Sequence, residues 1–210
     1  MTGRIITVRH GLPDQDRNVR ITAREYGDWW AEYDRSGLAP GQTPPPELFE
    51  LAANAGTVVS SVLPRAIETA SMLTRGGRNV PKDVIYVEAP LPPPPVPFLR
   101  LRPGVWGVIS RSFWFWGYAP EGVETHRASW IRVARVGDRL AGLAAGGGDV
   151  MLCGHGYLNW MLDRQLRKTG WRRESHVGRN HYFSWRIYSP APGAASVAGD
   201  AKAEAKLAAE

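Results

Sequence analysis

Ile5-Ile6-Thr7-Val8-Arg9-His10-Gly11 decides how this chain is read. A short apolar run of β-branched residues breaks into a glycine turn, with an arginine and a histidine at the break. In open α/β sheets ligands bind just beyond the carboxyl ends of strands, so both side chains sit where chemistry is done. The arrangement recurs about 145 residues later, where Val150-Met151-Leu152-Cys153 runs into Gly154-His155-Gly156. Between them, Thr57-Val58-Val59-Ser60 reads as a third buried strand. It leads through Ser61-Val62-Leu63-Pro64 into a helix from Arg65 to Leu73, which places Arg65 in that helix's first turn.

Outward from these strands, helical and extended segments alternate. Thr22-Ala23-Arg24-Glu25 is a capping box opening a helix through Trp29, Trp30 and Tyr33, and Ser36-Gly37 stops it. A short helix spans Glu47 to Asn54, and Val84 to Val87 reads as a strand. Helices are expected over Val105–Trp116, Glu124–Ala144 and Tyr157–Lys168, with a last strand near Tyr182–Tyr188. The alternation predicts a three-layer α/β/α sandwich, a mainly parallel sheet covered on both faces, with a small cap. One domain, 1–190, carries the cap as an insertion at about 89–122; residues 191–210 form an Ala-rich tail expected to be disordered. Ala89–Pro97 is rich in proline and has PxxP spacing, so it reads as a stiff surface loop or, second, as an SH3-type ligand.

The chain has 210 residues and a net charge of +6, carried almost entirely by arginine, the better fork for phosphate and carboxylate. The arginines are scattered, which favours a small acidic substrate over nucleic acid. One cysteine, Cys153, allows no internal disulfide. The start lacks the apolar region of a signal peptide and no stretch is long enough to span a bilayer, so a cytoplasmic protein is expected; a homodimer is allowed.

Three strand ends thus offer Arg9, His10, Arg65 and His155, with no acidic residue among them. Two arginines and two histidines converging on a crevice make a site for a doubly charged oxyanion, phosphate first. Glu88, after the expected Val84 strand, supplies a carboxyl at a fourth strand end, and its apolar neighbours favour a protonated acid. Glu124 is its rival, although helix capping suits it better, and Asp14 and Asp16 lie in the loop after the first motif. His126, His176 and His181 have no such placement and no metal-ligand spacing. Cys153 lacks the arginine six residues on that tyrosine-phosphatase chemistry needs; there is also no G-x-x-x-x-G-K-[ST] and no G-x-S-x-G.

These motifs resemble the histidine phosphatase superfamily, the phosphoglycerate mutase-like family. The resemblance rests on Arg9-His10-Gly11, on Ser61-Val-Leu-Pro-Arg65-Ala66-Ile-Glu-Thr69-Ala70 and on Gly154-His155-Gly156, in that order. It implies a metal-independent phosphatase without a cofactor, acting on a small phosphorylated substrate through a phosphohistidine on His10. It further implies that His155 is a protonated donor, that Arg9 and Arg65 bind phosphoryl oxygens, and that Glu88 is the general acid. Family members also use an asparagine after the first motif; here the segment departs as Leu12-Pro13-Asp14, with Asn18 shifted as the phosphate-binding candidate and Arg17 beside it. The alternatives are a mutase, disfavoured because the chain lacks the longer insertions of those enzymes, a phosphohistidine phosphatase acting on proteins, and a catalytically quiet phosphate- or partner-binding domain. The Trp106–Trp116 aromatic segment reads as a core-packing helix or as a cap for an apolar leaving group.

Overall fold

The computed structural model describes residues 2–192. Residues 193–210, most of the expected tail, lie outside the described residues. The first three strands of the reading form as expected: β1 (Ile5–Arg9), β2 (Thr57–Ser61) and, after the short β3 (Lys82–Asp83), β4 (Val150–Gly154). β5 (Trp171–Val177) and β6 (Trp185–Pro190) form a hairpin that adds to β1 in antiparallel fashion. β1 and β2 each pair parallel with β4, which therefore runs through the middle of a six-stranded sheet ordered β3-β2-β4-β1-β6-β5. The sheet is thus mixed, with its parallel half carrying the motifs.

Successive strand residues point to opposite faces. Ile5, Val150 and Leu152 pack under α5 (His126–Ala145) and α6 (Gly156–Lys168), while Ile6, Val8, Met151 and Cys153 pack under α2 (Pro46–Asn54) and α3 (Pro64–Leu73). That gives the three layers. Cys153 is fully buried; burial pushes its thiol up to about 12, so it is an inert packing residue. A third cluster joins α1 (Ala23–Arg35) to α4 (Pro103–Phe115) through Tyr26, Trp29 and Trp106. Thr22 caps α1 with the reciprocal Glu25 contact of a capping box. The proline stretch straps onto α4: Ser110 Oγ donates to the Pro92 carbonyl at 2.7 Å, and Arg111 donates to the carbonyls of Pro90 and Ala89. Of the aromatic segment, Trp106 and Trp114 are core, while Phe115 and Trp116 are exposed.

Three expectations are corrected. Val84–Val87 is not a strand: β3 ends at Asp83, and a 3₁₀ turn follows at Val84–Tyr86 because the Asp83 carboxylate accepts from Ile85 N at 3.0 Å. β5 was not expected, because its run Arg172-Arg173-Glu174-Ser175-His176 is polar; it is the edge strand, where charges block further pairing. The final strand starts at Trp185, not Tyr182, because Phe183 takes a left-handed φ of 56° in the preceding loop. No helix among the described residues is long and apolar enough to cross a membrane.

Leu152 is fully buried at the centre of β4. Leu152→Ala is expected to destabilise the fold by about 2–5 kcal/mol, read from urea denaturation; a cost below about 1 kcal/mol would place the core elsewhere.

Candidate active site

β1 and β4 end level with each other, Arg9 opposite Gly154, and His10 N–H continues the ladder by donating to the Gly154 carbonyl at 3.0 Å. The next residues of both strands are therefore neighbours. The His10 and His155 rings meet edge to face, with centroids 5.2 Å apart. Gly11 is required where it stands: a Cβ there would lie 2.5 Å from Phe183 Cζ and from Gln42 Oε1. Its N–H donates to Thr69 Oγ1, whose own hydroxyl donates to the Arg65 carbonyl, so the first and second motifs are tied together.

His10 Nδ1 lies 2.7 Å from the Gly11 carbonyl oxygen. A carbonyl only accepts, so Nδ1 carries the proton and Nε2 presents a lone pair. Burial, then the Arg65 charge, holds His10 well below the usual histidine range, and Arg9 and Arg17 push the same way. His155 is fully buried, and burial, then His10, Arg65 and Arg9, holds it well below that range too. Against the expectation of a protonated donor, burial and the neighbouring cations push the unliganded imidazole toward its neutral form.

Arg65 is fully buried, its guanidinium carbon 4.4 Å from the Tyr33 ring centre. It donates to the Tyr33 carbonyl and to Asp34 Oδ1, both at 2.9 Å. Arg9 lies over the Tyr182 ring at 4.5 Å and donates to the Asn180 carbonyl. Both arginines keep a buried Nε–H with no protein partner, and both ring nitrogens of His155 have none either. Buried donors are almost always satisfied, so a cluster of orphans at one point marks where a ligand's acceptors belong.

A cavity of about 500 Å³ opens over this point. Arg9, His10, Arg65 and Glu88 all reach it, and His155 lies beneath against His10. Asn18 does not reach it. It is exposed and its N–H donates to Asp16 Oδ1, so the expected phosphate contact is corrected; the cavity is lined instead by Arg17, held by the Tyr182 hydroxyl. Glu88 is not at a strand end. It follows the 3₁₀ turn, and its carboxylate accepts from the N–H groups of Ala89, Tyr157 and Leu158 at 3.0, 3.0 and 2.7 Å. It therefore caps α6, the helix that carries His155's motif. Glu124 does not cap a helix, because Thr125 caps α5; it grips Arg132 and Ser129 away from the cavity. Asp14 and Asp16 do not line it, and His126 and His176 are occupied by packing and turn contacts.

Sequence reasoning missed Arg111, Asn180 and Tyr182. Arg111 rides on α4, its guanidinium 3.8 Å over the Tyr157 ring and facing the cavity. Asn180 and Tyr182 come from the β5–β6 loop, and without the β5 strand nothing in the sequence brings that loop to Arg9.

No protein-family model matches the sequence, and no curated protein matches it. Solved structures do match. The mycobacterial glucosyl-3-phosphoglycerate phosphatase superposes with a TM-score of 0.58 at 22% identity, over 89% of this chain and 90% of its own. The same enzyme complexed with VO3 gives 0.57 at 23%, over 89% and 92%. A phosphoserine phosphatase variant from Entamoeba histolytica, solved with phosphoserine, gives 0.52 at 18%, over 79% and 80%. The chain shares the fold of these phosphatases. Within that fold the three motifs occupy the strand ends of the parallel half-sheet.

The two imidazoles give a pH signature. Each is depressed in the folded state from about 6.5, so the unfolded chain binds more protons below that pH. Their contribution to stability is full above about pH 6.5 and is lost as pH falls toward the folded values. Urea midpoints are expected to drop on that acid side, and His10→Gln and His155→Gln should each flatten the drop. A slope unchanged in both variants would mean that neither histidine is held neutral.

Proposed function

We propose that the protein is a phosphatase that hydrolyses a phosphomonoester through a phosphohistidine at His10 Nε2. The observation that carries this reading is the ring of orphaned buried donors, on Arg9, Arg65 and His155, around an imidazole whose Nε2 lone pair is free. That combination is complementary to a tetrahedral oxyanion under nucleophilic attack. The two named relatives of this fold are phosphatases, which supports the same reaction class.

In the first step the His10 Nε2 lone pair attacks phosphorus and the bond from phosphorus to the ester oxygen breaks. Proton donation from the Glu88 carboxyl to the leaving oxygen completes it. Glu88 suits this role because it reaches the cavity from its fixed place at the start of α6. The Arg9 and Arg65 guanidiniums hold the phosphoryl oxygens as charge gathers on them. A neutral His155 still offers one N–H, and a dianion beside it favours the second. In the second step water attacks the phosphohistidine, the P–N bond breaks with its electrons returning to Nε2, and the Glu88 carboxylate takes the proton. The guanidiniums supply the positive charge that a metal would otherwise bring, so the reading requires none. Arg17 adds a cation where Asn18 was expected to bind.

Loss of one positioned donor of this kind is typically worth about 10²–10³ in rate. His10→Ala is expected to abolish turnover and the acid-labile phosphoenzyme trapped by rapid quenching. Arg17→Ala should lower kcat/KM by about tenfold or more, and Asn18→Ala by less than about twofold. Glu88→Gln should slow an alkyl phosphate far more than p-nitrophenyl phosphate, whose leaving group needs no proton. Turnover surviving in His10→Ala would overturn the mechanism. An equal loss on both esters would remove Glu88 from the acid role.

A further inference from the structure

α4 turns four residues toward the cavity: Pro103 at its start, then Gly104, Gly107 and Arg111 at i, i+3 and i+7. The two glycines have no structural reason to be glycine. Neither has a positive φ. A Cβ at Gly104 would meet nothing within 4 Å, and one at Gly107 only the Tyr26 hydroxyl at 3.6 Å, an ordinary contact. Glycine weakens a helix relative to alanine, so its presence on this face alone points to space kept open in front of it.

The opposing walls say what the space suits. Trp30 lies 4.9 Å from Tyr33, nearly parallel, and Tyr157 is stacked on Trp160 at 4.9 Å and 19°. Arg111 lies over the Tyr157 ring at 3.8 Å and Arg164 over Trp160 at 3.3 Å, so that pair is already covered and Trp30 is the flat wall. The volume, about 500 Å³, exceeds what a short-chain alcohol fills and matches a ligand of several rings. Hydroxyl-rich rings fit poorly. Glu88 is the one carboxylate in the lining, and both of its oxygens already accept backbone amides. Asn180 is the one carboxamide in the lining, and its Oδ1 already accepts from Arg186; no serine, threonine, aspartate or glutamine lines the cavity among the described residues.

Resting on the phosphatase reading above, we propose that this cavity binds the alcohol portion of a phosphate ester built on a flat, apolar ring system, with Gly104 and Gly107 setting the room for it. The phosphoryl group lies on Arg9, His10 and Arg65, and the rings lie between the Trp30 and Leu91 wall and the glycine side of α4. Arg111, pinned by two carbonyls and by Tyr157, offers its remaining N–H groups to a polar substituent at the ring edge.

The test uses the full chain with 2-naphthylmethyl phosphate, ethyl phosphate and glucose 6-phosphate, which all release primary alcohols. The naphthyl ester is expected to have a kcat/KM about tenfold or more above the other two, carried mainly by KM. Gly104→Leu, which fills the space, should cut that preference by about tenfold. Equal rates for ethyl and naphthylmethyl phosphate, a preference for glucose 6-phosphate, or a preference that survives Gly104→Leu would each overturn the inference. Binding of 2-naphthylmethylphosphonate by the wild type, read by calorimetry against ethylphosphonate, decides the same question without turnover or a variant. Tighter naphthyl binding supports the cavity assignment, and equal binding overturns it. Failure of the wild type to hydrolyse any ester would instead sink the phosphatase reading, and the phosphonate comparison would still judge the cavity.

Discussion

The register between β1 and β4 is the constraint on which the site depends. Five residue pairs, from Ile5 with Val150 to Arg9 with Gly154, align the two strands so that they end together. β2 joins β4 in the same register, Thr57 beside Val150, and delivers the turn that starts α3 with Arg65. A slip of one residue would turn each strand's buried faces over and separate the motifs. The alternation of Ile5, Val150 and Leu152 on one face with Ile6, Val8 and Met151 on the other forbids it. Core packing and the geometry of the site are one constraint here, because the residues that fix the register are those that hold the strand ends level.

Holding so many cations and imidazoles out of water is costly, and the structure offsets that cost unevenly. Arg65 has Asp34, the Tyr33 carbonyl and the Tyr33 ring. Arg9 has the Asn180 carbonyl and the Tyr182 ring. The two histidines are offset by staying neutral. Among the groups at the motifs, two Nε–H groups and the His155 ring nitrogens are left uncompensated. Deviations from full polar satisfaction concentrate at functional sites, and these belong to residues gathered at the strand ends. Glu88 belongs to the same balance of charge. By accepting the Tyr157 and Leu158 amides it completes the start of α6, so the carboxyl that reaches the cavity also fixes the helix that follows His155.

The strands bearing the motifs were legible because buried parallel strands read as continuous apolar runs and the reactive residues stand directly after them. Arg65 was legible because Pro64 marks the first turn of a helix. The differences between sequence and structure share a cause: each turns on a side chain meeting something distant or on a contact composition does not show. Val84–Val87 has strand composition, yet the Asp83 carboxylate tightens it into a 3₁₀ turn. Glu88 reaches the cavity for a reason its sequence neighbours Val87 and Pro90 do not reveal, since the amides of Tyr157 and Leu158 hold its carboxylate. The push on the His155 imidazole toward its neutral form could not be read from a tripeptide, because it comes from complete burial beside His10, Arg65 and Arg9. β5 was hidden by its own edge position, and the Asn180–Tyr182 loop was hidden with it.

The departure after the first motif also has a physical account. Pro13 bridges to Leu38, the Leu12 N–H donates to Gln42 Oε1 at 2.7 Å, and Gln42 Nε2 donates back to the Leu12 carbonyl. This segment is therefore fastened to the connection between α1 and α2 rather than laid across the cavity. Further on, the Asp16 carbonyl accepts Trp29 Nε1, which pins the loop against α1. With the chain held at both points, Asn18 is carried outward and Arg17 is turned to the cavity beside Tyr182. A guanidinium in that place reaches farther than a carboxamide and carries charge, so it can hold an anion while leaving Trp29 and Trp30 free as a wall. The loop after the first motif thus gives one side of the cavity its charge and its aromatic surface together.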